Sequence, residues 1–433
     1  LADAGVEKLP EDWDVVTLGD LFTADRGIAV GVMYPGDHDP DGVPLIKAGD
    51  LNGSTINPQP DFRISKDKHD EYRRTALEGG ELLMTLVGNV GQCAVVPSQM
   101  AGWNAARAVA VMRLADASET HFVQQCLLSR PLQHLMDVWC NTTVQATLNL
   151  KEIRQLPLPW PPKRSRDAIA AFGKALDDKI ELNRQMNATL EAMARALFQS
   201  WFVDFDPVRA KLDGREPFGL DAATAALFPD SLKDSALGRI PVGWRVTTIG
   251  ETCQMIFSGG TPRTQETLFW GGDIPWLSSG ETRSTIIIET ERTITKAGVE
   301  NSSTRIARAG CTVIAGAGQG HTRGQTSLLT LDTYINQSVV ALAPLPRLSS
   351  DRFLFFDLAR RYEELRQLSD SHSSRGSLTT KLLSSVKCVV PPHELVIAFD
   401  KVADALVSRI TYNLHQSRTL ATLRDTLMPK TRG

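Results

Sequence analysis

Residues 9–20 read LPEDWDVVTLGD and residues 240–251 read IPVGWRVTTIGE, so the chain opens the same way twice. Trp13 and Trp244 hold matching places, at an offset of 244 − 13 = 231, and Pro44 and Pro275 repeat that offset. Gly80 with Gly310, Leu148 with Leu378 and Pro161 with Pro391 follow at 310 − 80 = 230. A register this steady over such a length is an internal duplication. The period is far longer than a solenoid repeat, so each copy is a domain plus a connecting element. A duplicated chain of this kind implies a pseudo-twofold object that meets a pseudo-twofold ligand.

Each copy runs from its Trp through short strand-like stretches, at 43–48, 81–87 and 106–114 and again at 274–278, 311–315 and 338–343. Glycine and proline loops separate them, as in an irregular α+β domain. A helical segment follows, around 120–138 and 351–369, then a Leu-rich turn and a Pro-Pro pair. Trp13 and Trp244 read as core residues opening a strand.

Beyond each Pro-Pro pair the pattern changes. Leu176, Asn183, Leu190 and Leu197 recur every seventh residue, with Met186 and Met193 alongside. Leu406, Asn413, Leu420 and Leu427 repeat the pattern, with Ile410 and Leu423 alongside. This predicts two long helices with coiled-coil-like seams, the first capped by Ser165. Asn183 and Asn413 sit on the same seam position: either they come close together when the helices pair, or each is solvated on an imperfect stripe. About 35 helical residues span roughly 50 Å, which is about fifteen base pairs of duplex axis. Residues 204–239 occur once and read as a connector. The segments are then 1–162 and 240–392 as recognition-sized globules, 163–203 and 393–433 as spacer helices.

Composition narrows the class. The 433 residues are 42% hydrophobic and 22% charged with net charge −3, ordinary for a soluble globular protein and unlike a uniformly basic nucleic-acid binder. Local basic faces stay open, because affinity follows the distribution of charge. No stretch approaches the ~20 apolar residues of a membrane span, and the cysteines form no C-x-x-C pair, so they read as reduced core thiols of a cytoplasmic protein. The chain opens at Leu1 rather than Met, and a native start upstream is expected. No metalloprotease helix, phosphate-binding P-loop or nucleophile elbow is present. The run 315–320, AGAGQG, resembles a phosphate loop but lacks the surrounding strand–helix–strand unit, and reads as a loop built for close backbone approach. The sequence therefore points to a binding protein with no reaction centre.

One further set of residues is specific. FQSWFVDFDPV at 198–208, the Pro-x-x-Trp openings, Ser258-Gly259-Gly260-Thr261-Pro262, Ile335-Asn336-Gln337-Ser338 and Leu427-Met428-Pro429-Lys430 closely resemble the specificity subunits of type I restriction–modification enzymes. The resemblance covers essentially the whole chain in order, although the ending at Gly433 is shorter than the fuller family pattern. It implies an α+β fold: two similar α/β target recognition domains joined by two long antiparallel coiled-coil-like helices. It implies that each domain reads half of a split, asymmetric sequence in double-stranded DNA. Two adenine methyltransferase subunits and motor–nuclease restriction subunits are the implied partners, with no membrane. No cofactor is expected in this chain; S-adenosylmethionine, Mg²⁺ and ATP belong to those partners.

Bases are told apart by Arg or Lys on guanine and Asn or Gln on adenine, whereas phosphates take Lys, Arg, hydroxyls and amides. Such side chains on recurring loops give Lys47, Arg73, Arg74, Asn89, Gln92, Arg107, Gln145 and Lys151 in the first domain. The second supplies Arg263, Arg283, Gln319, His321, Arg323, Gln325, Arg375 and Lys381. The loop 318–325 is the leading candidate, with an ordinary solvated loop as its alternative. For each arginine taken singly, a surface or salt-bridge role stays open. Lys151 and Lys381 stand in equivalent places, which favours a shared phosphate contact. A non-enzymatic protein- or glycan-binding scaffold is the rival reading, and an enzyme fusion whose catalytic domain lies elsewhere is the second.

Overall fold

A computed structural model describes residues 9–25, 27–140, 147–318, 321–372 and 376–426. The chain forms two compact units, Leu1–Asn183 with Gln416–Gly433, and Arg184–His415. The division falls inside both long helices rather than between the globules and the helices.

In the first unit β1 (Asp14–Thr17) pairs antiparallel with β9 (Pro157–Trp160). The main antiparallel sheet takes the order β2 (Ile28–Val30), β8 (Val109–Met112), β5 (Leu82–Thr85), β6 (Cys93–Val95). A smaller sheet sets β3 (Val43–Ile46) between β4 (Arg63–Ile64) and a parallel β7 (Asn104–Ala105). Strand β5 is buried on both faces. Leu82 and Met84 join Phe122, Val123 and Leu127 in one core layer, while Leu83 turns the other way onto Val96, Val109 and Val111. The two-residue period of a strand dictates that division. Helices α1 (Thr120–Leu128), α2 (Arg130–Trp139) and α3 (Leu150–Gln155) follow, then the long α4 (Lys163–Phe202).

The second unit repeats this plan after the single-copy segment. That segment is not a loose connector. It folds into α5 (Asp206–Leu212), α6 (Ala222–Ala226) and a hairpin of β10 (Leu232–Ser235) and β11 (Gly238–Pro241). Its Phe205, Val208 and Phe228 are buried with Phe198, Trp201 and Phe202 of α4. The Asp/Pro/Gly-rich composition reflects tight turns, and the isolated aromatics between them are what dock it. Beyond it, β12 (Arg245–Thr248) opens the repeat, β13 (Cys253–Ser258) enters the main sheet and β14 (Trp270–Leu277) the smaller one. The rest are β15 (Ile286–Ile287), β16 (Arg292–Ile294), β17 (Arg305–Ala307), β18 (Thr312–Ala315), β19 (Thr326–Leu329), β20 (Thr333–Ile335) and β21 (Val339–Pro344). The main sheet runs β13-β21-β18-β19-β15 and the smaller one β16-β14-β20-β17. Helices α7 (Asp351–Ala359), α8 (Tyr362–His372) and α9 (Thr380–Ser385) precede β22 (Lys387–Val390), which closes on β12, and α10 (His393–Arg424). The cysteines are buried free thiols, and burial pushes those of Cys253 and Cys388 up to about 12.

Helix α4 starts two residues before Ser165, directly behind Pro161-Pro162, whose fixed φ presets a helical start. Leu176, Asn183 and Asn413 are buried, and Leu190, Leu197, Leu406 and Leu420 are half-buried; Leu427 lies outside the described residues. The accompanying stripe matches the expectation at Ile410, which is buried, and differs from it at Met193 and Leu423. It runs four residues on, through Gly173, Ile180, Asn187, Ala194 and Trp201, whereas Met193 is 54% exposed. In α10 it runs through Val396, Ala403, Ile410 and Ser417, and Leu423 is 47% exposed. A seam alternates steps of three and four, and apolarity alone picked the wrong step.

Neither seam asparagine is solvated; each is fully buried. In the first unit the Asn183 amide donates to Gln416 Oε1 at 2.9 Å and Ser417 Oγ at 3.2 Å. In the second, the Asn413 amide donates to Asn187 Oδ1 at 2.8 Å. Each asparagine thus pairs with the seam position four residues beyond its counterpart. The first unit adds a partly buried pair between Arg424 and Asp177, 2.8 Å apart, with the Gln125 amide on the other Asp177 oxygen at 3.0 Å. Direction follows from these contacts. As residues of α4 fall from 183 to 177, their partners on α10 rise from 417 to 424, which is antiparallel pairing.

Candidate nucleic-acid interface

In the first unit the loop leaving β5 is turned by Gly88 and Gly91, both at positive φ. The Thr85 hydroxyl donates to the Asn89 carbonyl at 2.5 Å and accepts the Gln92 N–H at 3.0 Å. From α2 the Gln133 amide donates to the Gly91 carbonyl at 2.9 Å, and the Leu148 N–H reaches the Leu86 carbonyl at 3.0 Å. Leu86 in turn donates to the Ala108 carbonyl at 2.8 Å. Three segments are thereby held along one edge of the sheet, bringing together Asn89, Gln92, Arg107 and Lys151. Asn89, Arg107 and Lys151 are exposed. Gln92 is half-buried, its side-chain oxygen accepting the Gly53 N–H at 2.7 Å.

The other first-unit candidates stand apart. Arg113, just past the Met112 end of β8, donates to the carbonyls of Arg74 and Ala76, whereas Arg107 precedes the Val109 end. Arg73 and Arg74 are exposed, and Arg73 pairs with Asp70 at 3.2 Å. Lys47 lies 2.5 Å from Asp61, and this hydrogen bond holds the Asp61 carboxyl below its usual range. Gln145 lies outside the described residues.

The second unit repeats the edge with other side chains. Leu378 donates to the Gly316 carbonyl at 2.7 Å, and Gly316 donates to Ser338 at 2.8 Å. The described end of the leading candidate loop, from His321 to Gln325, lies against α8. Tyr362 donates its hydroxyl to the His321 carbonyl at 2.7 Å, and Gly324 at positive φ backs onto Tyr362 and Arg366. His321 is exposed. The Arg323 side chain is only 12% exposed; it is ion-paired with Asp370 and donates to the Gly376 carbonyl at 3.1 Å. In this structure it is therefore a brace of the loop rather than an outward reader. Gln325 is half-buried, with its side-chain oxygen sealed from water and no hydrogen-bond partner among the described residues. Lys381 is exposed on α9, in the place that Lys151 takes on α3. Arg263 is exposed, and Arg283 is paired with Glu291. Gln319 and Arg375 lie outside the described residues.

Two residues on this side escaped the sequence reading. Gln337, at the position of Arg107, accepts the Thr261 hydroxyl on its side-chain oxygen at 2.5 Å. It sits inside a quoted motif, and the repeat offset alone marks it. Arg292 opens an edge strand, and only cross-strand pairing reveals what it stacks on.

The arrangement is a twice-built edge of glycine-turned loops bearing amides and cations, on two rigid frames. The model of the type I restriction modification DNA specificity domain matches residues 10–192 and 241–404. The chain is similar to the specificity subunit of the HindI type I restriction enzyme of Haemophilus influenzae, 26% identical over 65% of this chain and 70% of that protein. It is similar to that of the MjaIX enzyme of Methanocaldococcus jannaschii, 20% identical over 99% and 94%. The crystal structure of a type I restriction–modification S subunit from M. genitalium aligns with TM-score 0.53 at 16% identity, over 97% of this chain and 96% of that one. This chain belongs to the type I restriction–modification DNA specificity family. It is a non-catalytic DNA sequence-recognition subunit that works with DNA and with modification and restriction subunits. Among the described residues no helix is long and apolar enough to cross a membrane.

Proposed function

We propose that the chain reads a split, asymmetric duplex sequence, one half with each globule, and seats two copies of an adenine methyltransferase subunit on its long helices. One observation carries the stoichiometry. On the flank of the seam rather than in it, α4 exposes Phe172, Leu182 and Met193, and α10 exposes Val402, Tyr412 and Leu423. Each pair stands 230 residues apart, and every member is about half exposed (43–55%). Large apolar side chains left in water on a regular surface mark a docking site. A site written twice at one offset fits two copies of one partner. Motor–nuclease subunits would join that assembly in the cytoplasm, where its DNA lies. S-adenosylmethionine, Mg²⁺ and ATP would be bound by these partners.

The test expresses the chain with its cognate methyltransferase subunit in a methylation-free host and maps adenine methylation. A split motif with unlike halves and a fixed gap is expected, with native mass spectrometry giving two methyltransferase subunits per chain. A soluble assembled complex that leaves no motif would overturn the reading and favour a protein- or glycan-binding scaffold, which would lack the steep salt dependence of phosphate contacts.

A further inference from the structure

We infer that Arg292 is a guanine-reading side chain of the second unit, an assignment that rests on the DNA-reading role proposed above. Strand β16 is the edge of its sheet and runs antiparallel to β14, with Arg292 opposite Trp276 and Ile294 opposite Trp270. Directly opposed residues share a face. The Arg292 guanidinium accordingly lies 3.7 Å from the centre of the Trp270 ring and 5.7 Å from that of Trp276.

The platform beneath it is built. The two indoles meet edge to face, 5.0 Å apart at 88°. Each donates its N–H to the loop that holds Ser258-Gly259-Gly260-Thr261-Pro262, Trp276 to the Gly260 carbonyl at 3.2 Å and Trp270 to the Arg263 carbonyl at 3.1 Å. That loop is pressed onto β20 so closely that a Cβ on Gly259 would stand 1.9 Å from the Ile335 oxygen. The same loop carries Thr261, which is bonded to Gln337, so Arg292 is fixed relative to the candidate edge.

Arg292 is exposed and has no carboxylate partner among the described residues, whereas Arg283, Arg308 and Arg323 pair with Glu291, Asp332 and Asp370. A guanidinium stacked by its face keeps its N–H edge free and held in one orientation. That edge matches the paired O6 and N7 acceptors of guanine in the major groove, a pattern no other base presents. In the first unit the same strand position is Phe62, with Lys47 above its ring and spent on Asp61. The contact therefore belongs to one half-site only.

The test maps methylation by the complex carrying Arg292→Ala or Arg292→Lys. A guanine in one half of the wild-type motif should lose selectivity by roughly five- to a hundredfold. The other half should be unchanged. Lysine should restore selectivity only in part, because an ammonium can reach both guanine acceptors but has no planar fork to be held over the indole. Replacing that guanine by 7-deazaguanine in a duplex bound to the wild-type complex should give the same loss, whatever the variants do to folding. A uniform weakening over all sequences that lysine repairs would make Arg292 a phosphate contact and overturn the assignment. So would an unchanged map, or indifference to 7-deazaguanine. A wild-type split motif with unaltered variant selectivity sinks Arg292 alone; no split motif at all sinks the function proposed above.

Discussion

Trp13 and Trp244 are the same residue in the same motif, yet one is half-exposed and the other is 1% exposed. Their strands pair alike, β1 with β9 and β12 with β22. The difference comes from outside the repeat. Trp244 is enclosed by Phe202 at 5.9 Å and Phe205 at 5.4 Å, from the end of α4 and the single-copy segment behind it. Phe205 itself is held in the left-handed region at φ 57°, a strain that its burial in this cluster offsets. A duplicated signal thus sets the local fold twice, while unrepeated neighbours decide how much each copy contributes.

The sharpest way to break this comparison is to truncate both tryptophans. Trp244→Ala should cost about 3–5 kcal/mol, the range for emptying a large aromatic site in a close-packed core. Trp13→Ala should cost less than half of that. Denaturant unfolding, with amide exchange in β12 and β1 to separate the units, measures both. Equal losses would show that the aromatic cluster does not hold the second unit together.

The next contrast lies where each long helix meets its own globule. In the first unit Arg166 binds Glu119 through two nitrogens at 2.9 and 3.0 Å, stacks 4.2 Å above the Trp160 ring and donates to the Pro161 carbonyl. The second repeat has Val396 and Ser350 at these places, with Val396 wholly buried among apolar side chains. Two chemistries therefore dock equivalent helices. Arg166→Ala should cost about 2 kcal/mol, because it leaves the buried Glu119 carboxylate with only the half-exposed Lys163, 3.2 Å away. Adding Glu119→Gln to Arg166→Met should recover most of it. If the double variant is no more stable than Arg166→Ala, the loss is one of packing and the pair has no electrostatic part in it.

How much was legible follows from what kind of signal each feature leaves. The repeat, three strand-like stretches in each copy and the Asn183 and Asn413 seam recur at fixed spacings, so a single sequence displays them. The second seam stripe was not legible: Asn187, Ala194 and Ser417 are small or polar, and Met193 and Leu423 outbid them on hydrophobicity. The single-copy segment looked like a linker because its few aromatics dock through tertiary contacts that leave no period. Among the candidate readers, residue type pointed to segments such as 88–92 and 321–325 but carried no information on the direction of each side chain. Arg323 illustrates the limit, since its partners Asp370 and Gly376 lie about fifty residues away. Arg292 illustrates the reverse case, because its ring platform exists only once two strands are paired.

The smallest expected effect sharpens the comparison through pH. Asp400 on α10 accepts the Ser350 hydroxyl at 2.7 Å, while Ser350 also caps α7 by accepting the Phe353 N–H at 3.0 Å. Burial pushes the Asp400 carboxyl up to about 6, and Asp404 and Asp351 push the same way against Ser350 and Arg352. A carboxyl whose pKa is higher folded than unfolded favours the fold only while it is protonated. That contribution is fully present below about pH 4, the unfolded value, and is lost as pH rises through about 6. Asp400→Asn keeps an acceptor for Ser350 and removes the charge. It should therefore stabilise the second unit at pH 7.5 by at most about 1 kcal/mol, since solvent screens a half-buried group. The gain should shrink between pH 6 and 4 and vanish below. In the first repeat the position is Ala170, so amide exchange there should show no matching change. A gain that persists unchanged at pH 4 would mean that the substitution acts through packing, and the charge at Asp400 would carry no penalty in the fold.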